Sequence, residues 1–231
     1  AFAMHVDSAT ERGLLVTRPG AMMASVSSLQ MTLRGSGGHA AFPHQSVDPV
    51  PVAAHLVLAV QSFVARRVPA TESAVVSVTH LRTDSPAGNV LPAAVEIGAN
   101  IRTLSRETLA LVREELPTLL TALAEAHGCT LEAEFIASYP VTVNDPVETA
   151  WVLDVLDARP ERVYRLPESS MASEDFAYVL EEVPGTLVFL GVAPDGGPVP
   201  LHSDTAVFDD SLLPVHASIL AELAWRRLLR A

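Results

Sequence analysis

Three histidines stand where the surrounding residues could make a site. His5 closes the apolar opening AFAMHV, at the carboxyl end of a strand pattern, where open α/β sheets build their sites. His202 lies in PLHSD, between an apolar run and a final helical pattern. For both, metal ligation competes with the plainer reading of a satisfied core histidine. Imidazole suits zinc, manganese, cobalt and nickel alike, so these residues do not name a metal. His39 belongs to GSGGHAAFPH, residues 35–44. Its glycines let the backbone take φ > 0 and approach another surface, and imidazole can donate, accept or ligate near neutral pH. That combination reads as a working loop, with His44 ordering it and the helix start that follows. Asn89 follows SPAG and suits a left-handed turn position. Arg102 shares a strand's polar face with Glu96 and Asn100, which reads as a surface ion pair. Glu174, in SEDF, suits the positive end of a helix. His55, His80, His127 and His216 fall in or at the ends of regular elements and read as structural or solvent-facing.

The elements that position these residues follow from periodicity. Residues 27–36 alternate apolar and polar, as a half-buried strand does. Asp48 followed by Pro49 starts a helix, cap then first-turn proline, with Val52, Leu56, Val60, Phe63 and Val64 as its inward stripe to about Arg67. Residues 74–81 are β-branched and read as a strand; Val95, Ile97, Ala99 and Ile101 alternate and make another. Ser105 caps a second helix with the stripe Leu109, Val112, Leu116, Leu119 and Leu123, ended by Gly128. Pro117 is expected to kink it. Residues 129–136 close a β-α-β-β-α-β series, a ferredoxin-like split. From Tyr139 the pattern becomes helix (145–158), short strand near Val163, helix (173–182), the strand TLVFLGV, a loop, and a last helix (211–229). The opening strand is expected to join that second layer, so the fold class is α/β. The expected organisation is a partial catalytic sheet domain (1–27 and 139–231) interrupted by a ferredoxin-like lid (28–138).

Composition narrows the partners. The chain has 231 residues, 49% apolar, enough for one large domain or two modest ones. Its formal charge of −12, with no basic cluster beyond Arg66–Arg67 and Arg226–Arg227, disfavours nucleic acid and anionic membranes. No charge-free apolar run reaches about 18 residues, so no membrane span is expected. The single cysteine, Cys129, allows no intrachain disulfide and fits a cytoplasmic protein. The opening residues lack a basic stretch and a cleavage motif, and read as the middle of a buried strand.

The ordered motifs MHV (4–6), GGHAAFPH (37–44), NVLP (89–92), IRT (101–103), SEDF (173–176) and PLHS (200–203) resemble those of metal-dependent amidohydrolases of the aminoacylase/carboxypeptidase family. The hippurate hydrolase, indole-acetyl-amino-acid hydrolase and N-acetyl-diaminopimelate deacetylase branch is the most similar. The resemblance covers essentially the whole chain. It implies a catalytic domain with two divalent metal ions per site, zinc or manganese, or else cobalt or nickel. It also implies a lid that mediates homodimerisation and N-acyl amino acids as small-molecule substrates. By the same resemblance His5 and His202 are metal ligands, His39 donates to the developing oxyanion, Arg102 holds a substrate carboxylate, and Asn89 and Glu174 line the substrate site.

The family's Cys/His–Asp metal motif and its Glu-Glu pair have no counterpart here. Cys129 falls in the lid, and Glu114–Glu115 and Glu181–Glu182 lie inside helices. Two histidines are not a hydrolytic metal centre, because catalytic zinc usually takes three protein ligands plus water. The expectation is therefore amide hydrolysis in an intact enzyme, with this chain incomplete for catalysis. The alternatives are a non-catalytic dimerisation or amino-acid-binding module, and one half of a split enzyme whose N-terminal half is a separate polypeptide.

Overall fold

In the computed structural model, which describes residues 1–229, the chain runs from β1 (Phe2–Asp7) through β2 (Leu14–Thr17) and β3 (Gly20–Met23) into the long β4 (Val26–Arg34). A two-residue strand β5 (Gly38–His39) precedes helix α1 (Pro49–Arg67), β6 (Ala74–Thr83), the short β7 (Val90–Leu91) and β8 (Ala94–Thr103). Helix α2 (Arg106–Ala126) and β9 (Thr130–Tyr139) follow, then β10 (Thr142–Asn144), α3 (Pro146–Asp157) and β11 (Arg162–Arg165). The chain continues through α4 (Phe176–Glu182), β12 (Thr186–Gly191) and α5 (Leu213–Leu228).

Contacts divide these elements into two units. The first comprises 1–23, 142–170 and 174–231; the second comprises 24–141 with 171–173. Sequence patterning places the joints at 27/28 and 138/139, whereas the contacts place them at 23/24 and 141/142. Strand β4 starts at Val26 and pairs there with Tyr139, so both ends of the strand pair belong to the second unit.

The first unit has a four-stranded sheet in the order β1-β12-β2-β11. β1 runs parallel to β12, β12 antiparallel to β2, and β2 parallel to β11. Alternation sends Phe2, Met4 and Val6 to the face covered by Trp151, Val152, Val155 and Leu156 of α3 and Ile219 and Leu223 of α5. Ala3 faces the other way, into a smaller cluster with Leu187, Phe189, Phe176 and Met22. Asp145 caps α3 by accepting from the amides of Val147 and Glu148. β3 and β10 form a separate antiparallel pair.

The second unit is an antiparallel sheet in the order β6-β8-β4-β9. Its long strands and helices succeed one another as β-α-β-β-α-β. Leu29, Met31 and Leu33 of β4 and Val95, Ile97, Ala99 and Ile101 of β8 point to one face. They pack against Val52, Leu56, Val60 and Phe63 of α1 and Val112, Leu116 and Leu120 of α2. The caps are those the sequence indicates: Asp48 accepts from Val50 N–H and Ser105 from Thr108 N–H. By length and composition α1 could cross a membrane, yet it spends its apolar stripe on this core. The helical assignment of α2 runs on through Pro117. Its buried line is Thr108, Val112, Leu116, Leu120 and Ala124, with Leu119 exposed, so the inward face is one residue round from the Leu119–Leu123 edge that the sequence suggests.

Candidate functional site

In the first unit, β1 delivers His5 to the carboxyl end of the sheet, beside Phe189 in its register (ring centroids 5.2 Å apart). The Nδ1 of His5 lies 2.6 Å from the carbonyl oxygen of Val6. A carbonyl only accepts, so Nδ1 carries the proton and Nε2 of the neutral ring keeps its lone pair. Glu174, two residues before the start of α4, places Oε2 3.7 Å from that Nε2. A histidine that donates its second nitrogen to a backbone carbonyl while the first stays basic has the form of a metal ligand. Two residues on, Asp7 turns the chain by accepting from Ala9 N–H (2.9 Å) and the Thr10 hydroxyl (2.5 Å).

His202 sits in the loop before α5 with φ 60°, the one non-glycine residue with positive φ among the described residues. Histidine is among the residues enriched in this left-handed region, which bulkier and β-branched residues avoid. Its ring is exposed. Among the described residues no three His, Cys, Asp or Glu side chains converge to hold a metal ion, so His202 does not complete a set with His5 and Glu174. The donor chemistry at His5 fits a divalent metal, but the ligand count falls short of the three protein ligands that a catalytic zinc usually takes.

In the second unit, the glycine-rich loop has a definite architecture. A Cβ on Gly35 would stand 2.2 Å from the carbonyl oxygen of Val47, and Gly37 takes φ +61° against the Leu91 carbonyl. These approaches close the loop: Gly35 N–H donates to Ala93 O, Ser36 N–H to Val47 O, and Val47 N–H to the Ser36 hydroxyl. β5 then pairs with β7, setting His39 opposite Val90, and Ala40 N–H donates to the carbonyl of Asn89. Thus His39 and Asn89, fifty positions apart in sequence, are brought together by a two-strand ribbon. The short β5 and β7 give no alternation from which sequence could find this.

The exposed ring of His39 accepts at Nδ1 from the amide of Ala41 (3.1 Å). Accepting at Nδ1 leaves the proton of the neutral ring on Nε2, which faces no acceptor among the described residues. His39 therefore presents an N–H where His5 presents a lone pair. The neighbouring Phe42 ring, centroid 5.5 Å away, flanks it.

Arg102, on β8, is more committed than a surface ion pair. Its Nε donates to Asn100 Oδ1 (3.1 Å), and its Nη1 to Ser173 Oγ (3.1 Å) and the Met171 carbonyl (3.3 Å). Among the described residues Nη2 has no hydrogen-bond partner. Asn100 and Ser173 are thus the residues that orient Arg102. The same-face spacing of 100 and 102 makes the first legible in sequence; nothing local signals the second.

The family model for peptidase family M20/M25/M40 matches residues 1–226. An N-acetyldiaminopimelate deacetylase from Leuconostoc citreum is 30% identical over 227 residues, covering 97% of this chain and 58% of that protein. The crystal structure of a proposed aminohydrolase from methicillin-resistant Staphylococcus aureus superimposes with a TM-score of 0.86 at 28% identity, over 97% of this chain and 58% of that one. A dinuclear metal-binding M20 peptidase from Bacillus subtilis shares the fold, with a TM-score of 0.78 at 24% identity over 96% and 55% of the two chains. The chain spans just over half the length of the relatives it matches. With a family model matched along nearly its whole length, the chain belongs to peptidase family M20/M25/M40.

Proposed function

We propose that this chain is part of an amidohydrolase that cleaves N-acyl amino acids with the help of divalent metal ions, zinc or manganese, or else cobalt or nickel. The observation that carries this reading is the pair of opposite tautomers, a basic Nε2 on His5 and an N–H on Nε2 of His39. The first suits a metal ligand and the second suits a donor to the oxyanion that develops when an amide carbonyl is attacked. Arg102 offers Nη2 to a substrate carboxylate, a single-nitrogen contact because Nε and Nη1 are already engaged. By the family resemblance, the Asn89 amide, beside His39 on its ribbon, and Glu174, beside His5, are taken as substrate-binding groups, and His202 as a metal ligand. The relatives' substrate names, N-acetyldiaminopimelate among them, support a small acylated amino acid.

The second unit serves as the ferredoxin-like lid and as the homodimer contact, and the protein works in the cytoplasm. Of its two sheet edges, β9 presents Glu132 and Glu134, which discourage pairing. β6 runs from Ala74 to Val78 without a charge and exposes Val75, so it is the edge a second copy would extend. The shortage of metal ligands favours a second reading for the chain by itself, a non-catalytic binding module or one half of a split enzyme.

One set of assays separates these. The purified chain, with zinc or manganese added, is expected to bind an N-acetyl amino acid without turning it over, and Arg102→Ala is expected to weaken binding at least ~10-fold. Metal-dependent turnover abolished by His202→Ala would show that the ligand set is sufficient after all. Absence of any saturable binding would remove the substrate class.

A further inference from the structure

Two histidines outside the proposed site meet on the surface of the second unit. His55 projects from the second turn of α1 and His127 is the residue that ends α2; their ring centroids are 5.3 Å apart, inclined at 54°. Both are exposed, and neither ring makes a hydrogen bond or ion pair among the described residues. Exposed histidines are ordinarily free to turn apart. These two are held by elements that are fixed, since α1 and α2 pack on the same sheet core and the His127 N–H is bonded back to the carbonyls of Ala124 and Glu125.

The spacing has chemical content. A zinc ion about 2.1 Å from an imidazole nitrogen lies roughly 3.2 Å from that ring's centroid, so two rings at a tetrahedral angle have centroids about 5.2 Å apart. The observed separation matches that requirement. Electrostatics agree independently. The carboxyl end of a helix carries roughly half a negative charge, yet the last turn of α2 contains no Lys or Arg to meet it, and Glu125 adds a further negative charge there. A cation seated between the rings would occupy that place. Borderline ions that accept imidazole nitrogen, and tolerate water in their remaining positions, fit two-ligand coordination; magnesium and calcium, which take oxygen, do not.

We propose that His55 and His127 form a surface site for a borderline divalent transition-metal ion, of the zinc, nickel or copper class, which bridges α1 to the end of α2. The site does not depend on the proposed hydrolytic function. Binding requires a lone pair on each imidazole, so metal and protons compete for the same nitrogens. Because the ion ties two helices that are joined only in the folded state, it raises the unfolding temperature of the chain.

Imidazole resonances of the full chain, stripped with EDTA and titrated with zinc chloride at neutral pH, test this ring by ring. The His55 and His127 signals are expected to move together and saturate at one equivalent, separately from any change at His5 or His202. His55→Gln and His127→Gln, both at exposed positions that leave the core untouched, are each expected to weaken that event at least ~10-fold and to remove the matching rise in unfolding temperature. The proposal is overturned if the two rings stay unshifted in excess zinc, or if either variant binds with unchanged affinity.

Discussion

A neutral imidazole has one proton for two nitrogens, so fixing one nitrogen decides the chemistry of the other. His5 spends its N–H on the Val6 carbonyl; His39 spends its lone pair on the Ala41 amide. In the metal-free protein at a pH where both rings are neutral, long-range nitrogen–proton spectra should therefore show Nδ1–H for His5 and Nε2–H for His39. The reverse assignment at either residue would remove the basis for its role. The glycines before His39 act by close approach rather than by flexibility. Gly35→Ala would drive a methyl into the Val47 carbonyl, and overpacking of that kind costs about 1–3 kcal/mol or more. A drop in the urea midpoint with α1 and α2 still intact by circular dichroism is the expected result, and an unchanged midpoint would mean that the loop simply moves aside. That the glycines mattered was legible in sequence. Which carbonyl they admit was not, because Val47 reaches Gly35 only once α1 has docked.

At the scale of elements, legibility followed length and pattern. β4, β8, α1, α3 and α5 announce themselves by alternation, caps or stripes that local sterics enforce, and β9 extends only a little past its expected end. β2, β3 and β10 hold three or four residues each, too few for a period, and exist because distant strands pair with them. The α2 stripe shows the finer limit: with leucines at both 119 and 120, periodicity permits either, and packing on β8 and β9 selects Leu120. Some ties between elements are ionic and carry a pH signature. Arg159, just beyond α3, donates to Glu222 of α5 (2.6 Å), and Arg226 also approaches that carboxylate. The Arg159 hydrogen bond, then the Arg226 one, holds the Glu222 carboxyl below its usual range. A carboxyl with a lowered folded-state pKa stabilises the fold above its unfolded pKa and loses that contribution as the pH falls through the folded value. Glu222→Gln is thus expected to lower the urea midpoint at pH 7 and to flatten the acid side of the stability profile, the two proteins converging once Glu222 is protonated in both states. Parallel profiles for the two proteins down to acid pH would show that the pair contributes nothing.

Among the described residues the two units have separate cores, the first unit adding a smaller cluster around Met22 and Leu187. Leu29, Leu56, Ile97, Leu116 and their neighbours form one cluster; Leu15, Trp151, Leu156, Leu190 and Ile219 belong to another. The segment 24–141 leaves and re-enters the first unit at adjacent points, since Val26 at the start of β4 pairs with Tyr139 at the end of β9. An insertion whose ends already lie side by side adds little loop-closure cost to its host and can fold without it. Residues 171–173 join it from elsewhere, through Ala24 N–H to the Ala172 carbonyl and through Arg102 to Met171 and Ser173. Those bonds orient a side chain near the end of β8; they are not what buries the sheet's apolar face. Residues 24–141 produced alone should therefore fold cooperatively, with a single urea transition and dispersed amide resonances. Arg102 should be the residue most altered, its Nη1 released to solvent. Removing 24–141 and joining 23 to 142 is the complementary experiment. Failure of the isolated segment to show a cooperative transition would mean that its core depends on the first unit, and that the two clusters are one folding unit in spite of their separate packing.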